Sequence, residues 1–176
     1  MIRLNAKELR TQEPDPEVLK KLRKNPMYII LDNVLDTYNV GSIFRLADAT
    51  AVKKVFLCGE TLTPPNPRIK KASISTWKWV EWEYMPTALI AVGKLKTQNS
   101  KLKTICVEQD KKSIPLKDFR PEFPLAIVVG NETYGISKEV LKIADSIIEL
   151  PMYGVNKSLN VMVSCGIVLY KIVEFL

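Results

Sequence analysis

LAIVVGNETYGIS, residues 125–137, opens as the most apolar strand-like run in the chain and ends in a polar loop framed by Gly130 and Gly135. Residues 125–129 have the length and β-branched content of a strand, and Ser137 stands where an N-cap belongs ahead of a helix over 137–144. The same grammar recurs outward. Strand-like runs fall at 28–31 (YIIL), 54–58 (KVFLC), 80–84 (VEWEY), 102–107 (LKTICV) and 146–150 (SIIEL), with helix-like segments at 40–50, 86–98 and 158–175. Alternating strands and helices predict an α/β fold: a mainly parallel sheet flanked by helices. In such sheets ligands bind in the loops at the carboxyl ends of the strands.

With 176 residues the chain has room for one such domain. Residues 1–26 read as a polar N-terminal basic arm, with Pro14, Pro16 and a helical stretch over 17–24, and residues 27–176 as the folded domain. The loop 62–67 (LTPPNP) reads as a rigid connection. Cys58, Cys106 and Cys165 lack metal-ligand spacing and fit a reducing compartment. The longest nearly apolar run, 161–170, is about half of the ~20 residues that a membrane span needs. These features point to the cytoplasm and away from membranes.

Composition narrows the chemistry. There is no histidine, so a Ser-His-Asp or Cys-His nucleophile system, an H-E-x-x-H zinc site and a Cys₂His₂ finger are all excluded within this chain. Lys+Arg number 26 against 19 Asp+Glu, a net charge of +7. Basic clusters at Lys20, Lys21, Arg23 and Lys24, at Arg68, Lys70 and Lys71, and at Lys111 and Lys112 favour a polyanionic partner such as RNA.

Three blocks can carry chemistry. In the first, residues 32–45 (DNVLDTYNVGSIFR), Asn39 is placed to cap a helix, Gly41 to permit close approach, and Arg45 falls about one turn into the helix as a surface ion-pair partner or a site residue. The second, 128–137, puts Glu132 between two glycines at a strand's carboxyl end, either as a helix-dipole complement or in a ligand loop. The third, 150–161 (LPMYGVNKSLNV), turns at Pro151 and Gly154, offers Ser158 as an N-cap, and leaves Asn160 as an amide needing partners.

Together, in this order, the blocks N-x-G-S-x-x-R (39–45), V-G-N-E-x-x-G-I-S (129–137) and L-P-M-x-G-x-x-x-S-L-N-V (150–161) resemble the signature regions of the SpoU (TrmH-type) RNA 2′-O-ribose methyltransferases of the SPOUT class. The resemblance implies an S-adenosylmethionine-dependent enzyme acting on tRNA or rRNA, a C-terminal trefoil knot at about 127–176, and a homodimer packed through the closing helix, without a metal. It implies catalytic roles for Arg45, Asn39, Glu132, Ser158 and Asn160. It also implies a donor site at Val107, Gly130, Leu150, Met152, Ser158 and Leu159, with Gly130 and Gly154 small for close approach. A guanidinium keeps its proton below a pH of ~12, so Arg45 is better suited to clamping phosphate and stabilising negative charge than to acting as a base. The rival readings are a non-catalytic RNA-binding module of the same fold and a dinucleotide-binding oxidoreductase that uses 39–45 as a phosphate turn. The second lacks G-x-G-x-x-G.

Overall fold

The computed structural model describes residues 3–176; the first two residues of the basic arm lie outside it. Its strands are β1 (Asn25–Asp32), β2 (Val52–Cys58), β3 (Trp82–Met85), β4 (Lys103–Val107), β5 (Ile114–Pro115), β6 (Leu125–Gly130) and β7 (Ser146–Glu149). They form one sheet in the order β3-β2-β1-β6-β4-β7-β5, and its adjacent strands run parallel. Every residue of β6 is buried, as expected of a central strand covered on both faces.

Period-two alternation assigns the two faces. Ile29 and Leu31 of β1 join one core with Val40, Ile43 and Phe44 of α3 (Thr37–Ala49) and Cys165, Val168 and Leu169 of α7 (Val161–Val173). Ile30 faces the other core, with Ala91, Val92 and Leu95 of α5 (Ala88–Gln98) and Val140 of α6 (Lys138–Ile143). After β4 the chain lays down β5 at the far edge, crosses back inward to pair β6 with β1, and then returns beyond β4 to insert β7 between β4 and β5. The carboxyl ends of β6, β4 and β7 therefore lie side by side, and α7 leads away from them to pack on α3, where Gly166 faces Leu46.

Several boundaries differ from the sequence reading. Helix α3 starts at Thr37 because Asp36 is its cap, with Oδ1 accepting from Tyr38 N at 2.8 Å; Asn39 already lies in the first turn. Helix α7 starts at Val161 because Asn160, not Ser158, caps it, accepting from Met162 N and Val163 N at 2.9 and 3.3 Å. Ser137 holds the cap position of α6 without a side-chain cap bond. The prolyl loop feeds a helix the sequence reading lacked, α4 (Pro67–Ser73), capped by Asn66 with Pro67 at its start. The arm carries two short helices, α1 (Ala6–Thr11) and α2 (Pro16–Lys21), neither of which buries a residue. Among the described residues no helix is long and apolar enough to cross a membrane.

Candidate active site

A cavity of about 440 Å³ opens at the carboxyl ends of β4, β6 and β7, where the start of α7 closes one side. Its walls include Val107, Gly130, Leu150, Met152, Ser158 and Leu159, the six positions expected to hold a donor. Glu132 and Asn160 also line it. One wall is backbone packed on backbone. A Cβ on Gly130 would collide with main-chain atoms of Gly135 and Ile136, so only glycine lets these segments meet. Gly154 has nothing within 4 Å of such a Cβ, so no protein atom requires glycine there, and it does not line the cavity.

Beside the cavity, three side chains form a hydrogen-bonded chain. The Glu132 carboxylate accepts from Leu35 N (3.1 Å), Asp36 N (3.2 Å) and Asn39 Nδ2 (2.9 Å), gripping the start of α3. Asn39 Oδ1 accepts from Asn160 Nδ2 at 3.0 Å, and Asn160 Oδ1 caps α7. Each amide has one consistent orientation, because an ionised carboxylate only accepts. Asn39 must then point its amide nitrogen at Glu132, which turns its oxygen toward Asn160 and leaves Asn160's oxygen for the helix. The first, second and third sequence blocks thus meet through Glu132, Asn39 and Asn160.

Two of the expected residues stand apart from this chain. Ser158 lines the cavity but does not cap α7; its backbone N donates to Asn156 Oδ1 at 3.4 Å. Arg45 lies more than two turns into α3 rather than one, with its side chain exposed and outside the cavity wall. Residues 39–45 lie wholly within α3, which removes the phosphate-turn reading.

Sequence reasoning missed the residues that brace the loop after β6. Asp32, buried at the end of β1, accepts from Ser137 N at 2.8 Å and from Asn33 Nδ2 at 3.0 Å. Asn131 donates to Asn33 O (2.8 Å) and accepts from Thr133 N and Tyr134 N (2.8 and 2.9 Å). Glu108 accepts from Ile136 N at 3.1 Å, beneath Gly135, whose φ of +70° suits glycine. A polar residue at the end of one apolar strand, and directly after each of two others, was the available signal.

Burial raises the Glu132 carboxyl, but the bonds from Asn39, Leu35, its own amide and Asp36 together outweigh burial and hold it below the usual carboxylate value. A lowered folded value means that this grip is complete above the unfolded pKa and is lost as pH falls through the folded one. Thermal melts from about pH 6 to pH 3 should therefore show wild type losing more stability than Glu132→Gln, the two curves converging at the acid end. Parallel curves would mean that the carboxylate contributes nothing through its charge. Burial pushes the thiols of Cys58, Cys106 and Cys165 up to about 12, which leaves them unreactive.

The model of the SpoU rRNA Methylase family matches residues 26–170. A tRNA (guanosine(18)-2′-O)-methyltransferase of Aquifex aeolicus (strain VF5) is 32% identical over 161 residues, spanning 88% of this chain and 72% of that protein. The solved TrmH/SpoU tRNA modifying enzyme of A. aeolicus has a TM-score of 0.75 at 30% identity, over 94% of this chain and 79% of that one. The SpoU methyltransferase AviRb of Streptomyces viridochromogenes, solved with its cofactor AdoMet, shares the fold at a TM-score of 0.77 and 21% identity, over 92% and 64% of the two chains. A parallel sheet whose last strands frame a cavity walled by the second and third signature blocks, with the first block tied in through Asn39, joins these matches in one conclusion: the chain belongs to the SpoU rRNA methylase family.

Proposed function

We propose that this chain transfers the methyl group of S-adenosylmethionine to a ribose 2′-hydroxyl of RNA, with tRNA favoured over rRNA as substrate. The observation that carries the reading is the cavity in which all six expected donor positions meet, beside the Glu132–Asn39–Asn160 chain. The walls suit such a donor: Val107, Leu150, Met152 and Leu159 offer apolar contact, Gly130 lets the Gly135 and Ile136 backbone close the wall, and Ser158 offers a hydroxyl. When bound, the donor supplies a methyl carbon made electrophilic by its sulfonium.

The protein's own part is positioning. Glu132 has both oxygens committed to the start of α3, so it acts as a brace rather than a base. Asn39 and Asn160 fix α3 and α7 relative to each other across the cavity mouth. Arg45, exposed on α3, clamps an RNA phosphate and stabilises the negative charge that develops on the hydroxyl oxygen. No step calls for a metal. Membership of a methylase family favours turnover over the non-catalytic module.

Residues 27–176 form the catalytic domain and 1–26 an RNA-facing arm, with a trefoil knot in about 127–176, where the chain crosses back over β4. The molecule is a cytoplasmic homodimer. Val163, Ile167 and Tyr170, 39%, 44% and 54% exposed at i, i+4, i+7 on α7, supply the apolar face that a second copy covers.

Transfer of label from methyl-labelled S-adenosylmethionine to purified tRNA and, separately, rRNA from cells lacking the gene tests this reading. Label in tRNA is expected; label in neither, with donor bound, contradicts it. The basic clusters give a second expectation. Helix α4 packs tightly on α3, where a Cβ on Gly41 would lie 2.6 Å from Ala72 Cβ, and it presents exposed Arg68, Lys70 and Lys71. Changing these three to alanine should flatten the log–log dependence of RNA affinity on salt by about 2, at roughly 0.7–0.9 for each phosphate left without its cation, with donor affinity unchanged. An unaltered slope would make them a solvated face.

A further inference from the structure

A second cavity, of about 350 Å³, lies against the other side of the loop after β6. It is walled by Asn33, Glu60, Asn131, Gly135, Ser137 and Lys138, with Tyr134 at its edge. Asn131 and Gly135 belong to both cavities. What separates them is a single narrow turn, closed by Asn131 N donating to Gly135 O at 3.0 Å and Gly135 N donating to Asn131 O at 2.9 Å. The two paired segments lie about 5 Å apart, axis to axis. The turn is also braced: Asn131 Oδ1 accepts from Thr133 N and Tyr134 N, and Asp32 accepts from Ser137 N.

Tyr134 is 87% exposed, and none of its ring packs in a core. An aromatic ring held on a fixed backbone at the lip of a polar cavity offers the π-face on which an unstacked base settles. The side chains around it can meet a base edge. The Glu60 carboxylate and the Lys138 ammonium make no hydrogen bond or ion pair among the described residues, while the Asn33 amide is already spent on Asp32 and on Glu60 N. The Glu60 carboxylate, the Lys138 ammonium and the Ser137 hydroxyl, which likewise makes no hydrogen bond among the described residues, thus remain uncommitted.

Resting on the methyl-transfer reading, we propose that this cavity seats the nucleobase of the nucleoside being methylated, stacked on Tyr134. Sugar and base are joined by one glycosidic bond. A nucleoside straddling the turn presents its 2′-hydroxyl to the donor cavity while its base occupies the second. Tyr134 acts by positioning and takes no part in the chemistry.

The test uses the full chain, saturated with S-adenosylhomocysteine so that the donor cavity is filled. The Tyr134 ring resonances are followed by NMR during titration with AMP, GMP, CMP and UMP, and with ribose 5-phosphate as the baseless control. Nucleotides should shift the ring and ribose 5-phosphate should not. In parallel, Tyr134→Ala should raise KM for RNA roughly 5- to 150-fold, the equivalent of one base stack, with kcat within a few-fold and donor affinity unchanged. Tyr134→Phe, which keeps the ring, should restore the KM. A ring that no nucleotide moves, or wild-type KM in Tyr134→Ala, overturns the base site. Nucleotide shifts at Tyr134 in a protein that methylates no RNA would overturn the methyl-transfer reading and leave the base site standing.

Discussion

Arg45→Ala is expected to lower kcat about 10²- to 10³-fold, the loss typical of removing one group that stabilises developing charge, with donor affinity within about twofold of wild type. The side chain is exposed on α3 and outside the cavity wall, so its removal leaves neither a hole in the core nor a change in the donor's seat. The fold should melt at the wild-type temperature. Arg45→Lys keeps the charge and loses the planar fork that binds phosphate in two places. At least a tenfold loss is expected there as well. Lysine performing at the wild-type rate would exclude the clamp and leave only a requirement for positive charge.

Gly130→Ala has the second large effect. The added Cβ collides with the Gly135 and Ile136 backbone, which Glu108 holds at Ile136 N and Asp32 at the adjoining Ser137 N and which cannot swing aside as a long side chain would. The change should destabilise the fold by about 1–3 kcal/mol and weaken donor binding by at least tenfold, since this packed backbone is a wall of the cavity. Gly154→Ala is the internal control: no atom lies within 4 Å of its Cβ, and both stability and donor affinity should stay unchanged. Denaturant melts and donor titration calorimetry of the two variants decide the matter. Equal behaviour of the pair would show that the close packing at Gly130 carries no weight.

The parallel sheet was legible because its strands are buried on both faces and read as plain apolar runs, β6 above all. Strand order was not, since nothing local says that β6 inserts between β1 and β4. The helix starts show how capping goes astray. Asn39 and Ser158 are good cap residues, yet Asp36 and Asn160 took the places, which freed Asn39 to bridge Glu132 and Asn160 over 93 and 121 positions of sequence. A local rule cannot see such partners. The positions proposed to hold the donor came from the resemblance of three blocks, whereas Asp32, Glu108 and Asn131 went unnoticed because each bonds to a backbone group far away in the chain.

The central claim, methyl transfer to a ribose, is tested most directly by where the label goes. RNA methylated by this protein with labelled S-adenosylmethionine is hydrolysed in alkali, which cuts a phosphodiester only where a free 2′-hydroxyl can attack it. Label recovered in alkali-resistant dinucleotides is the predicted result; label in mononucleotides would mean base methylation and would contradict both the reaction and the role given to Arg45.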